Sequence, residues 1–160
     1  MSNLHKILKL GNSLLYQKAI EVEPSEVAEL QSDIDLLHNL VLEFRAKYGA
    51  GRAIAAPQIG LMKRIICMNT DKQYTIINPV LSELSDEMME LWDDCMCFPN
   101  LHVKVRRHRY CVLNFRDENW IEHRWELKDD LSELIQHEYD HLEGILATQR
   151  AIDGKAFRVV

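Results

Sequence analysis

Two histidines four residues apart, His137 and His141, enclose Glu138 in the run Gln136-His137-Glu138-Tyr139-Asp140-His141. On a helix, residues four apart lie one turn from each other on the same face, so both imidazoles can address one metal ion. Glu138 is turned about 100° around the axis from His137. That places its carboxylate beside the ion, in reach of the protons of a water molecule. H-E-x-x-H at this spacing is a pattern of metal-assisted hydrolysis. The competing reading is an exposed amphipathic helix with incidental histidines. The flanks weigh against it. Leu131, Leu134, Ile135, Leu142 and Ile145 recur as an apolar stripe. Asp129 or Asp130 is placed to cap the start, and Gly144 marks the stop. A largely buried helix follows, and buried His and Glu need partners.

A hydrolytic metal site usually takes three protein ligands and keeps one position open. Cys95 is the best candidate for the third. It lies in Trp92-Asp93-Asp94-Cys95-Met96-Cys97-Phe98-Pro99, a polar-to-apolar stretch read as a loop. A thiolate with two imidazoles suits Fe²⁺, Co²⁺, Ni²⁺ or Zn²⁺. Cys67 and Cys111 stand in apolar runs and read as small core residues. A closed four-ligand zinc site that adds Cys97 stays open as an alternative.

The elements that must carry these residues can be read from the pattern. A short extended or turn-ending segment runs from Leu4 to Leu10 and closes at Gly11-Asn12. Pro24-Ser25 then opens a long helix in which Val27, Leu30, Ile34, Leu37, Leu40, Val41 and Phe44 recur, through to about Tyr48. Ala53 to Gly60 reads as a loop or tight strand entry. Strands are expected at 64–68, 74–77, 102–105, 110–115 and 121–127, with strand or loop at 83–91 and a turn at 117–119. The ligand helix is expected from about Asp129 to Glu143, followed by a tail from Leu146 to Val160 with a break at Gly154. The fold class is α+β: antiparallel sheets packed around a central metal-ligand helix, with a long N-terminal helix. The ligand helix should pack on the concave face of the sheet.

The 160 residues suffice for one domain, 1–160, with a sizeable core. A formal charge of −6 argues against a general nucleic-acid binder, and no DNA partner is expected. Arg106-Arg107-His108-Arg109 is the one basic cluster; it reads as ion pairs or a solvated face. Met1 to Leu10 lacks the apolar core of a secretory signal. No apolar run approaches the roughly 18 residues of a membrane span. The expected setting is the cytoplasm, with reduced thiols and no membrane contact.

Three motifs in order widen the reading beyond the histidine pair. Gly51-Arg52-Ala53-Ile54-Ala55-Ala56-Pro57-Gln58, Asp93-Asp94-Cys95-Met96-Cys97 and Gln136-His137-Glu138-Tyr139-Asp140-His141 resemble G-x-G-x-A-A-x-Q, E-G-C-x-S and Q-H-E-x-D-H of the peptide deformylases. Ile7-Leu8-Lys9-Leu10-Gly11-Asn12 is similar to the opening of that family. The resemblance implies that Cys95, His137 and His141 hold a divalent metal, Fe²⁺ in the first place. It implies Glu138 as general base and acid, with the Gln58 side chain and the Met96 N–H stabilising the oxyanion. The implied reaction removes the formyl group from N-formyl-methionyl peptides of nascent proteins, with the ribosome as a further partner left open.

The departures from the family pattern bear on substrate. Ala53 stands for the second glycine, Asp93-Asp94 for Glu-Gly, and Cys97 for Ser. Asp94 puts a carboxylate next to Cys95, where it opposes a thiolate. Asp130, Leu131 and Glu133 align with positions that in the family are apolar or differently shaped and face the substrate pocket. With Arg52, they imply a charged side-chain pocket, unless they face solvent and leave the pocket unchanged. Two further readings therefore stand beside the first: a deformylase-like amide hydrolase with altered preference, and a non-catalytic metal-binding module that keeps the fold. Retention of Glu138 and Gln58 weighs against the last, since a structural metal site needs neither.

Overall fold

A computed structural model describes residues 1–160. Two helices and eight strands run in the order α1 (Gln31–Tyr48), β1 (Ala53–Ala55), β2 (Ile65–Asn69), β3 (Gln73–Ser82), β4 (Met88–Asp93), β5 (Leu101–His108), β6 (Tyr110–Arg116), β7 (Glu122–Lys128), α2 (Asp130–Leu142) and β8 (Phe157–Val159). The strands form two antiparallel sheets, one of five in the order β1-β2-β3-β6-β7 and one of three in the order β4-β5-β8. The α+β expectation holds.

The five-stranded sheet is covered on both faces. Alternate residues of a strand point to opposite sides, and here both sides are apolar. Ile54, Ile65, Cys67 and Ile77 join one core with Ile34, Leu37, Leu40 and Val41 of α1. Ala55, Ile66, Met68 and Ile76 join a second with Leu134, Ile135 and Leu142 of α2. This is why β1 and β2 read as continuous apolar runs rather than alternating ones. Cys67 and Cys111 are fully buried, as expected of core residues. Helix α2 touches β1, β2 and β7 of the large sheet and β5 of the small one, so it lies against both.

Several boundaries differ from the sequence reading; the strand expected at 74–77, for one, runs on through Asn78 and Pro79 to Ser82. The long helix starts at Gln31, not at Pro24. Pro24–Glu26 is a separate 3-10 turn in which the Glu23 N–H donates to Glu26 Oε1 at 2.8 Å. Leu30, with φ −88° and ψ −2°, is the N-cap of α1: its N–H reaches back to Glu26 O at 3.0 Å, and its carbonyl accepts the Ile34 N–H at 2.9 Å. Asp129 does not cap α2 with its side chain. Its φ is +55°, and its carboxylate accepts from Arg109 Nη1 at 2.9 Å instead. The tail is not irregular throughout, because Phe157–Val159 pairs with β5.

The segment before α1 ties site-bearing elements together through its backbone. The Leu8 N–H donates to Gln58 O at 2.8 Å, the Leu10 N–H to Cys97 O at 3.0 Å, and the Ala19 N–H to Leu142 O at 2.9 Å. Gly144, just past α2, has φ +73°, and a Cβ there would lie 2.6 Å from Tyr16 O. Only glycine fits that approach. Arg64 Nη1 donates to Ala19 O, to Leu142 O and to Glu143 Oε2, a cation at the carbonyl end of α2.

Candidate active site

Helix α2 brings His137 and His141 onto one face, and Cys95 meets them two residues past the end of β4. Cys95 Sγ lies 3.4 Å from His141 Nε2. The donor atoms of Cys95, His137 and His141 all lie within 4.8 Å of one another, and all three residues are buried. Ligands bound at about 2.0–2.3 Å around one tetrahedral ion stand roughly 3.5 Å apart. The donor set and its spacing therefore fit a single divalent cation. Cys97 does not join the group, so the four-ligand alternative loses its geometry. The Cys97 N–H instead approaches Cys95 Sγ at 3.5 Å.

Behind the histidines lies a buried polar chain that the sequence reading did not find. His137 Nδ1 is 2.8 Å from Asp93 Oδ2, which leaves Nε2 to face the cluster. Arg107 Nη2 donates to the same Asp93 oxygen at 3.1 Å, and Arg107 Nη1 donates to Asp140 Oδ2 at 2.6 Å. Arg150 closes the chain on Asp140 from the surface, at 3.0 and 3.1 Å. A carboxylate on the far nitrogen of a ligand histidine fixes its tautomer and raises its basicity. Burial alone would raise the Asp93 carboxyl, but the His137 and Arg107 charges outweigh it and hold it at about 2. Burial alone would lower His137, but Asp93 outweighs it and raises the imidazole to about 9. The basic cluster thus resolves into ion pairs: Arg106 with Glu90, Arg107 with Asp93 and Asp140, Arg109 with Glu87 and Asp129.

Gln136, beside the ligands in sequence, faces the other way. Its Oε1 accepts the His108 N–H at 2.9 Å, and its Nε2 donates to His108 O at 2.7 Å. This bidentate bond fixes α2 to the end of β5.

Glu138 is buried, and its Oε2 has no hydrogen-bond partner. Burial raises its carboxyl to about 7; the nearby Asp93 and Asp94 charges add to the shift, while His137 opposes it. Gln58 sits in a 3-10 turn after β1. Its Oε1 accepts the Ala55 N–H at 2.8 Å, so its Nε2 is the end turned to the cluster, 3.7 Å from Cys95 Sγ and 3.5 Å from Cys97 Sγ. The Met96 N–H makes no hydrogen bond within the protein. A cavity of about 330 Å³ opens onto Cys95, Met96, His137, Glu138 and Gln58 together. Arg52 and Glu133 line the same cavity, with Arg52 Nη2 donating to Glu133 Oε1 at 2.7 Å. Asp94 is exposed at its mouth, whereas Asp130 is open to solvent in a neighbouring groove.

A family model for polypeptide deformylase matches residues 4–156 of this sequence. The chain belongs to the peptide deformylase family. It is 30% identical over 166 residues to the peptide deformylase of Leptospira biflexa, with 96% of this chain and 91% of that protein covered. Its fold is similar to the crystal structure of a Synechococcus elongatus peptide deformylase in complex with actinonin. The TM-score is 0.81 at 27% identity, over 92% of this chain and 79% of the other. The Thermotoga maritima peptide deformylase gives a TM-score of 0.83 at 25% identity, over 92% and 97%. Family membership makes the protein a deformylase-type hydrolase. Among its helices, none is long and apolar enough to cross a membrane.

Proposed function

We propose that this deformylase-family protein is a metal-dependent hydrolase of N-formyl peptides, with Cys95, His137 and His141 as the metal ligands. The observation that carries the reading is Glu138, a buried carboxylate with an unpartnered oxygen in a cavity shared with the Cys–His–His group. A structural metal site has no use for such a group. The chemistry supplied by the metal is Lewis acidity toward the carbonyl and toward water. Glu138 takes the proton of the attacking water and passes it to the departing amine. A carboxyl near neutrality suits both directions of that transfer. Gln58 Nε2–H and the Met96 N–H donate to the oxyanion, each worth about 3 kcal/mol in the transition state on the scale of other oxyanion donors. Fe²⁺ is the proposed ion in the cell, and Zn²⁺, Ni²⁺ and Co²⁺ suit the same ligands. Formyl-methionyl ends of nascent chains in the cytoplasm, at or near the ribosome, are the substrate that the family resemblance suggests.

A second reading keeps the reaction and changes the side-chain preference. The Arg52–Glu133 pair in the cavity favours it.

The test is formate release from formyl peptides by protein loaded with Fe²⁺, Co²⁺ or Ni²⁺ without oxygen, with bound metal measured in the same sample. Glu138→Gln should keep the metal and lose about 10² to 10⁴-fold in kcat. Full metal occupancy with no formate from any formyl peptide would overturn the proposal, as would full activity in Glu138→Gln.

A further inference from the structure

Glu133 stands four residues before His137 and eight before His141 on α2. The three side chains therefore share one face of the helix, with Glu133 just over one turn, about 6 Å along the axis, from the first histidine. Glu133 is only 8% exposed and lines the catalytic cavity. Its Oε1 is held by Arg52 at 2.7 Å, and it makes no other hydrogen bond within the protein. A buried carboxylate thus offers a second oxygen to whatever enters the cavity.

The cleaved amide nitrogen belongs to the first residue of the peptide. With that amide at Glu138 and the Cys–His–His group, the side chain of the first residue lies a few bonds away, within reach of a group one helical turn along. The charges nearby favour a cation. Glu133 and the exposed Asp94 line the cavity, and Asp130 lies 3.6 Å from Arg52. Against them stands Arg52, already shared between Glu133 and Asp130. Arg45 also borders the cavity, but its Nε donates to Gly51 O at 2.9 Å and its Nη2 to Asn69 O. An apolar side chain entering here leaves the Glu133 oxygen desolvated without a partner, which is costly. An ammonium or guanidinium supplies the missing donor.

We propose that Glu133, with one oxygen held by Arg52 and the other open to the cavity, is the specificity determinant of this enzyme and selects peptides whose first residue carries a cationic side chain, lysine or arginine, over methionine. The proposal rests on the deformylase reading of the site.

Lysine and norleucine share a four-carbon stem and differ at its end by the ammonium group. Metal-loaded protein is assayed on formyl-Xaa-Ala-Ser with lysine, norleucine, methionine and glutamate at Xaa. The expected kcat/KM for lysine exceeds that for norleucine by about tenfold or more, the scale of one charged hydrogen bond, with glutamate the slowest. Glu133→Gln should bring the lysine-to-norleucine ratio close to one. Arg52→Met, which frees the carboxylate of its partner, should keep or enlarge the ratio, and it serves if Glu133→Gln does not fold. Binding of the product peptides Lys-Ala-Ser and norleucyl-Ala-Ser, measured by calorimetry, reads the same preference without turnover. Norleucine equal to or better than lysine in both measurements overturns the proposal and leaves the deformylase reading intact. Tighter binding of Lys-Ala-Ser with no hydrolysis of any formyl peptide keeps the specificity determinant and overturns the deformylase reading.

Discussion

Asp93 Oδ2 and His137 Nδ1 lie 2.8 Å apart, joining the last residue of β4 to the ligand helix. Losing a carboxylate behind a ligand histidine typically costs about 10- to 100-fold in metal affinity. Asp93→Asn should therefore bind Co²⁺ or Zn²⁺ more weakly by that factor while keeping the fold. Competition with a chelator of known affinity measures it. Unchanged affinity would show that the contact orients nothing.

The same pair sets a pH dependence for protein stripped of metal. Asp93 is depressed to about 2, so its contribution is complete above its unfolded value and fails only as the pH falls toward 2. His137 is raised to about 9, so its contribution is complete below its unfolded value near 6.5 and is lost as the pH rises through 9. Glu138 is raised to about 7, so its share is lost earlier, between its unfolded value near 4.5 and pH 7. Stripped protein should lose thermal stability steadily from pH 6 to pH 10. Asp93→Asn should flatten the part above pH 7. A melting temperature flat over that range in the unmodified protein would contradict the assignment.

Cys95 and Cys97 separate the three-ligand site from a four-ligand one. Cys95→Ala should remove most of the bound metal, whereas Cys97→Ala should retain it at about one ion per chain. Elemental analysis of both variants decides. Equal loss from the two would restore the four-ligand site.

Replacing the Glu133 carboxylate with a branched alkyl group should help apolar substrates. A buried CH₂ is worth about 0.8 kcal/mol, and the desolvated oxygen is gone. Glu133→Leu should raise kcat/KM on formyl-Met-Ala-Ser, chiefly for apolar first residues. The unmodified protein should fall below roughly 10⁴ M⁻¹s⁻¹ on that peptide, the low end for natural enzymes. A value above it would mean that the charged wall does not disfavour methionine.

What the sequence disclosed, and what it hid, follows from the range over which each signal acts. The ligand helix was legible because an apolar stripe and an i, i+4 pair are local, and the expected span, Asp129 to Glu143, falls within one residue of Asp130–Leu142 at each end. Cys95 was singled out by its polar neighbours and lies with the histidines. Asp93 was noticed only as a departure from a motif. Its partner is 44 residues away on another element, and no periodicity links the two. Arg107 was read with its neighbours as ion pairs or a solvated face; it is an ion pair, but a buried one between Asp93 and Asp140, and local sequence does not tell the two settings apart. The strand at Phe157–Val159 has both faces exposed, so it carries no alternation; pairing with β5 alone makes it a strand. The start of α1 was misplaced because Val27 and Leu30 keep helical spacing through the turn that joins the 3-10 segment at Pro24–Glu26 to α1.

The backbone bonds from Leu8 to Gln58, from Leu10 to Cys97 and from Ala19 to Leu142 make the first twenty residues a splint across the site. None of those residues belongs to either sheet. The same arm also buries Ile7, Leu15 and Val22 in one core and Ala19 in the other. A protease cutting ahead of α1 would thus loosen the Gln58 turn, the cysteine loop and the end of α2 from one another and open both cores together, so the geometry of the site and the stability of the fold should fail in one step.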